Sequence, residues 1–220
     1  MAAVQEHGFA HEDRIIRAKT GLSKKELGTS YTGIHDIPAG IYESQDGSIK
    51  EVKYNTSIKT AKGNIVSCSD IKRFFRETSK DEELELHIAL YTQSSPKTKS
   101  FHTIYVFKLS KEHKKKLWGD ISEEILLNFC KYVKNIAPGK EAQIANQELW
   151  KEKRKAIVDE YGQGIVQIAA KIGKTNQRRT QCTFNINQMI EEGIPYEVYT
   201  EEYEGIPVKY DYDSSSRTFK

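Results

Sequence analysis

An α/β fold, with a central mixed β-sheet flanked by helices, is what the sequence predicts, on three observations. Two apolar runs, LHIALYTQ (86–93) and FHTIYVFKL (101–109), have the length and the β-branched and aromatic content of buried strands. Residues 49–60 alternate, with Val52, Tyr54 and Ile58 on one side and Glu51, Lys53, Ser57 and Lys59 on the other. Around these runs lie segments of helical period with their own start and stop signals. The chain has 220 residues and no internal repeat or low-complexity linker, so the economical reading is one domain over 1–220. Within it a core is expected over 1–110, followed over 111–220 by helices and a hairpin.

Taken in order, residues 6–18 set Phe9, Ile15 and Ile16 among charges, the pattern of an amphipathic helix that ends near Gly21. Ser23 with Glu26 three residues later is a capping box, so a second, short helix starts there. Residues 34–37 suit a short strand, and 41–47 suit a hairpin turning through Gln45-Asp46-Gly47. Ser69-Asp70 caps a helix through Ile71, Phe74 and Phe75. A Ser/Pro turn joins the two apolar strands. Residues 122–136 form a helix closed by Pro138-Gly139, and 140–161 form a longer one. Strands at 162–170 and 179–186 flank a basic loop. The Tyr-rich stretch beyond Glu201 ends in SSSRTFK, and flexibility is expected after 205.

Composition narrows the function classes. No signal peptide and no apolar run of membrane-spanning length is visible, which predicts a soluble, cytoplasmic protein. Cys68, Cys130 and Cys182 are far apart and odd in number, as expected of reduced, buried thiols. The six histidines form no HExxH or HxH pair, which argues against zinc. Net charge is only +3, but basic clusters stand at 111–116, 151–155 and 171–179, with acidic ones at 81–85 and 197–204. Local positive patches on a nearly neutral chain suit a protein that grips a polyanion and then releases it. A solvated, mixed-charge surface accounts for any one patch equally well.

The chemistry is carried by Asp36 and the strand that ends Ser57-Ile58-Lys59. A carboxylate and a lysine brought together at paired strand ends are what a divalent-metal phosphodiesterase needs: the acid holds the cation and the lysine orients the attacking water. Two spellings exist, Asp36 with Glu51-Val52-Lys53 and Asp36 with Ser57-Ile58-Lys59. The second is preferred. Lys59 lies at the strand's end, before the TAKGN turn, where it can meet solvent and substrate. Glu51 and Lys53 border the hairpin, where a cross-strand ion pair explains them. Both spellings are expected on one strand face. Ser57 in the middle position leaves a metal one anionic ligand short, and Glu12 supplies it if the first helix packs across the sheet.

Together, EHGFAHEDRII (6–16), Asp36, SIKTAKGN (57–64) and the late basic segment ending TFNI (183–186) resemble the PD-(D/E)xK type II restriction endonucleases. The likeness is nearest to the small enzymes that cut four-base sites and spell the motif Gln-x-Lys or Asn-x-Lys, and it covers four short islands. The resemblance implies a restriction-endonuclease-like core and Mg2+-dependent hydrolysis of double-stranded DNA at a short specific sequence. It makes Asp36 the metal-binding acid, Lys59 the catalytic lysine, Ser57 the variable middle residue and Glu12 the helical glutamate. The carbonyl of Ile58 becomes a further metal ligand. It also implies a cognate DNA methyltransferase encoded nearby, and it is compatible with a homodimer.

Base reading is expected from 169–182, where Lys171, Lys174, Asn176, Gln177, Arg178, Arg179 and Gln181 are the candidates. Arg and Lys match the guanine edge, and Asn and Gln match the adenine edge. A basic hairpin that touches only phosphate is the alternative. Two rival functions stay open: a repair or structure-specific nuclease of the same fold, and a non-catalytic DNA-binding protein in which Asp36 and Lys59 form an ordinary ion pair.

Overall fold

A computed structural model of the chain describes residues 3–28, 35–68, 70–79, 83–95, 97–137, 139–173 and 178–213. In order, its elements are α1 (Ala3–Thr20), α2 (Lys24–Leu27), β1 (Gly40–Glu43), β2 (Ile49–Val52), β3 (Asn55–Ala61), β4 (Ile65–Cys68) and α3 (Ile71–Ser79). There follow β5 (Leu84–Gln93), β6 (Thr98–Leu109), α4 (Lys114–Trp118), α5 (Glu123–Asn135) and α6 (Lys140–Tyr161). The chain closes with β7 (Gln167–Ile172), β8 (Arg178–Asn185), α7 (Ile186–Glu191), β9 (Tyr196–Tyr199), β10 (Glu202–Tyr203), β11 (Ile206–Pro207) and β12 (Tyr210–Asp213). It divides into two units, one of residues 1–66, 81–109 and 194–220, the other of 67–80 and 110–193. Against the expected core at 1–110, residues 67–80 join the second unit and 194–220 return to the first.

The first unit is built on a mixed sheet. β3 runs parallel to β5, β5 antiparallel to β6, and β9 and β12 pair with successive stretches of β6. The register sets Ser57 beside Leu86, Ile58 beside His87 and Lys59 beside Ile88. Since side chains alternate along a strand, Ser57 and Lys59 share one face with Leu86 and Ile88, and Ile58 lies on the other with Ala89. On that second face α1 lays Ile15 and Ile16, fully buried against Ile58, Ala89, Ile104 and Val106. Burial of each isoleucine contributes roughly 1.5–3 kcal/mol. The buried ion pair of Lys19 with Glu85 ties the end of α1 to β5.

Two expectations change here. Residues 49–60 are not one strand: β2 stops at Val52, Lys53 and Tyr54 break the ladder, and β3 begins at Asn55. β2 pairs with β1 as a hairpin, Tyr42 opposite Lys50, and β3 joins the main sheet. Even spacing persists through the break, which is why the pattern reads as continuous. The stretch after 205 is ordered through Asp213, and residues 214–220 lie outside the described ones. Val208 is buried, and Tyr210 stacks on Phe101 at 4.8 Å, so the tyrosines of this segment are core and not tail. Of the short strand expected at 34–37, only an isolated bridge from Ile37 to Thr56 forms, and Ile34 lies outside the described residues.

In the second unit β7 and β8 pair antiparallel, with α5 behind β8 through Cys130 Sγ and Thr180 Oγ1 at 2.9 Å. Phe74 of α3 stacks on Phe184 of β8, and the buried Trp118 donates from Nε1 to Thr78 Oγ1 at 2.8 Å. β7 starts five residues later than expected because residues 162–166 are locked elsewhere. The amides of Ile165 and Val166 donate to the carbonyls of Lys116 and Leu117 at 2.9 and 2.8 Å. A Cβ on Gly164 would lie 2.3 Å from Leu117 O, so only glycine passes there. The three cysteines are buried free thiols, and among the described residues no helix is long and apolar enough to cross a membrane.

His87 yields a test. It is fully buried on β5, edge-on to Tyr203 at 4.4 Å, and neither ring nitrogen has a hydrogen-bond partner among the described residues. Burial, and then the charges of Lys19 and His11, hold its pKa well below the ordinary histidine range. The unfolded chain therefore binds a proton that the folded one refuses, so stability falls as pH drops below about 6.5, at up to about 1.4 kcal/mol per pH unit. Urea midpoints measured between pH 7 and pH 5 should fall less steeply in His87→Leu than in the wild type.

Candidate active site

β5 occupies one edge of β3. On the other edge the chain before β1 makes its single bridge: the amides of Asp36 and Ile37 donate to Thr56 O at 3.0 Å, and Thr56 donates to Ile37 O at 2.7 Å. In an extended strand the amides of residues two apart point the same way, so Ile58 presents the next donor on that edge. A side chain takes it: Asp36 Oδ2 accepts from Ile58 N at 2.7 Å. Only 8% of Asp36 is exposed, so its carboxylate is fixed on the strand.

Lys59 closes on the same place. Its Nζ donates to Ser57 Oγ at 2.6 Å and to Ile58 O at 3.3 Å, and it stands 3.6 Å from Asp36 Oδ2. Glu12 arrives from α1, its Oε1 accepting from Lys24 Nζ at 2.6 Å. Burial raises the Glu12 pKa above the usual carboxylate range, and the Asp36 charge raises it further against the opposing pulls of Lys24 and Lys59. Two carboxylates, a hydroxyl, a carbonyl and an ammonium are thus grouped around one strand edge.

The structure brings together Glu12, Asp36, Ser57, Ile58 and Lys59. It does not bring in the other spelling, and the expectation that both share a strand face fails. Glu51 is exposed on the hairpin opposite Ile41, and Lys53 is exposed with Nζ 5.0 Å from the Tyr54 ring centre. Sequence reasoning missed Lys24. The capping box at Ser23 announces the α2 start, but not that the adjoining lysine reaches back to Glu12 while its amide donates to Asp13 Oδ1 at 2.7 Å.

On the β7–β8 hairpin, Lys171 lies opposite Arg179 and Ala169 opposite Gln181. Lys171, Arg179 and Gln181 therefore share one sheet face. Arg178 falls on the other, where its Nη1 donates to Ile136 O at 2.7 Å at the end of α5, so the structure does not bring it together with the other three. Lys174, Asn176 and Gln177 lie outside the described residues.

Hard divalent cations take oxygen ligands and, when bound through one or two carboxylates, keep positions for water and phosphate. Asp36 and Glu12, with Ser57 Oγ and Ile58 O, are a donor set of that kind. The Lys59 ammonium already touches three of these oxygens, which marks the spot as favourable to positive charge. Burial first, and then the Asp36 charge, disfavour ionised Glu12, and a bound cation would oppose both. Among the described residues no three His, Cys, Asp or Glu side chains gather as a metal site, so any cation here would lean on backbone and hydroxyl oxygens as well. Comparison with protein families, curated proteins and solved structures finds no match to this chain.

The strained carboxylate can be measured. A raised acid pKa means that folding favours protonated Glu12, so its contribution to stability is fullest at acid pH and declines as pH rises through its unfolded value near 4.5. Glu12→Gln should melt above the wild type at pH 7, with the gap closing below about pH 4; a lower melting point at pH 7 would contradict this reading.

Proposed function

We propose that this chain is a Mg2+-dependent, site-specific DNA endonuclease of restriction type. The observation that supports the reading best is the Asp36 carboxylate, hydrogen-bonded to the strand at Ile58 N–H and lying 3.6 Å from the Lys59 ammonium. That arrangement holds an anion and a cation at a fixed edge.

The proposed reaction is in-line hydrolysis of a phosphodiester. A water oxygen bonds to phosphorus, the P–O3′ bond breaks, and the water's proton ends on the departing oxygen, leaving a 5′-phosphate and a 3′-hydroxyl. Bound Mg2+ would supply Lewis-acid stabilisation of the charge building on the phosphate. Asp36, Glu12 and the Ile58 carbonyl are the residues that would hold it. Lys59 Nζ, steadied by Ser57 Oγ, orients the water and donates to a non-bridging oxygen as charge develops there. Asp36, 3.6 Å away, helps hold the Lys59 ammonium at this edge. Lys171, Arg179 and Gln181, on one face of the hairpin, are the contacts assigned to duplex DNA. A host carrying such an enzyme requires the cognate methyltransferase, and pairing of two copies would let both strands be cut.

Purified protein with Mg2+ should cut supercoiled plasmid into fragments whose ends map to one short sequence. Lys59→Ala should slow cleavage by about 10²- to 10⁴-fold while DNA binding persists, and Lys53→Ala should leave the rate within about twofold, as expected of an exposed residue off the reaction path. Plasmid left intact with both Mg2+ and Mn2+ would refute catalysis, and ends scattered over sequence but clustered at junctions or lesions would shift the assignment to a structure-specific nuclease.

A further inference from the structure

The second unit contains a cavity of about 130 Å3 that none of the residues above uses. Ile121 and Val158 wall it, and Arg154, Gln163, Gly164 and Gln167 supply its polar lining. Arg154 is half-buried and has no carboxylate partner among the described residues. Among the described residues its ring contact is Trp150, 6.0 Å from the ring centre, and its nitrogens keep access to solvent. An accessible guanidinium without a carboxylate beside it can take an oxyanion that enters from solvent.

The main chain adds donors. Around the Gly162-Gln163-Gly164 turn, the amides of Gly162, Ile165 and Val166 are spent on Val158 O, Lys116 O and Leu117 O. Those of Gln163 and Gly164 find no acceptor among the described residues. Successive unspent amides in a turn form an anion-binding concavity, and a guanidinium fork matches two phosphate oxygens at once. The turn is held in shape, because Gly164 packs directly on the Leu117 carbonyl. On α6, Lys151, Arg154, Lys155 and Val158 follow the spacing of one helix face; Lys151 is paired with Glu148 at 2.8 Å, which leaves Lys155 as the further cation beside the arginine.

We propose that this cavity binds a phosphate-class oxyanion through Arg154, the side-chain amide of Gln167, and the main-chain amides of Gln163 and Gly164, the Gln163 side chain being turned to the Gly164 carbonyl at 2.9 Å. The proposal that the anion is a DNA backbone phosphodiester rests on the endonuclease reading; free phosphate or a mononucleotide is the other source of the same chemistry.

The experiment uses the full chain carrying Lys59→Ala, so that DNA survives, with and without Arg154→Gln. Binding of inorganic phosphate and of a 5′-mononucleotide is measured by calorimetry, and duplex binding across a salt series. Arg154→Gln should weaken duplex binding about ten- to a hundredfold at low salt and reduce the log–log salt slope by about 0.9. Arg154→Lys should restore part of the affinity, since charge returns without the fork. Phosphate or mononucleotide binding that depends on Arg154, with no duplex binding, upholds the anion site while the DNA reading fails. Duplex binding and salt slope unchanged by Arg154→Gln, with no Arg154-dependent phosphate binding, overturns the site even if the wild type cleaves DNA. Should Arg154→Gln unfold, Arg154→Lys and Gln167→Leu carry the same comparison.

Discussion

One hydrogen bond organises the candidate site: the main-chain N–H of Ile58 donating to the Asp36 carboxylate. It uses a donor that an edge strand would otherwise offer to solvent or to a neighbouring chain. Everything else in the cluster takes its position from that strand edge. Ser57 and Lys59 are held because β3 is locked in register with β5, and Lys59 then has three oxygens to turn to. Glu12 is held because α1 must bury Ile15 and Ile16 on the opposite sheet face. A hydrophobic requirement on one face thereby sets the placing of an acid at the rim.

Much of this is legible in the sequence because it depends on local period. The two-residue alternation places Ser57 and Lys59 together, and the helical stripe of Phe9, Ile15 and Ile16 implies that Glu12 rides a helix packed on the sheet. The position of Lys59 near a strand's end, as against Lys53 beside a turn, favours one spelling, and only the register shows that the two spellings lie on different strands. What periodicity cannot supply is the identity of the partner. An even spacing from Val52 to Ile58 reads the same whether one strand continues or a hairpin strand hands over to a sheet strand, and here it hands over.

The remaining departures have the same origin. Tyr203, Tyr210 and Val208 look like a polar, aromatic tail until β6 is seen to need edge partners, which β9 and β12 provide. Residues 162–166 look like strand, but the amides of Ile165 and Val166 go to the 116–117 carbonyls and that of Gly162 to Val158 O instead of to a ladder. Arg178 and Arg179 are adjacent and chemically identical, yet one closes the end of α5 and the other faces Lys171. A one-residue phase difference, visible only once the register is known, separates a structural cation from a candidate contact.

The fastening of α1 has a further consequence. His11 Nδ1 meets the Tyr210 hydroxyl across 199 positions of chain, and Arg14 donates to Pro207 O and covers the Tyr210 ring. Closing so wide a loop is entropically slow, and contacts of this separation form late. These clasps carry the largest loop-closure cost of any contact α1 makes, whereas its packing on Ile58, Ala89, Ile104 and Val106 spans far less chain, so the helix is seated by its apolar face and secured from the far side by His11 and Arg14.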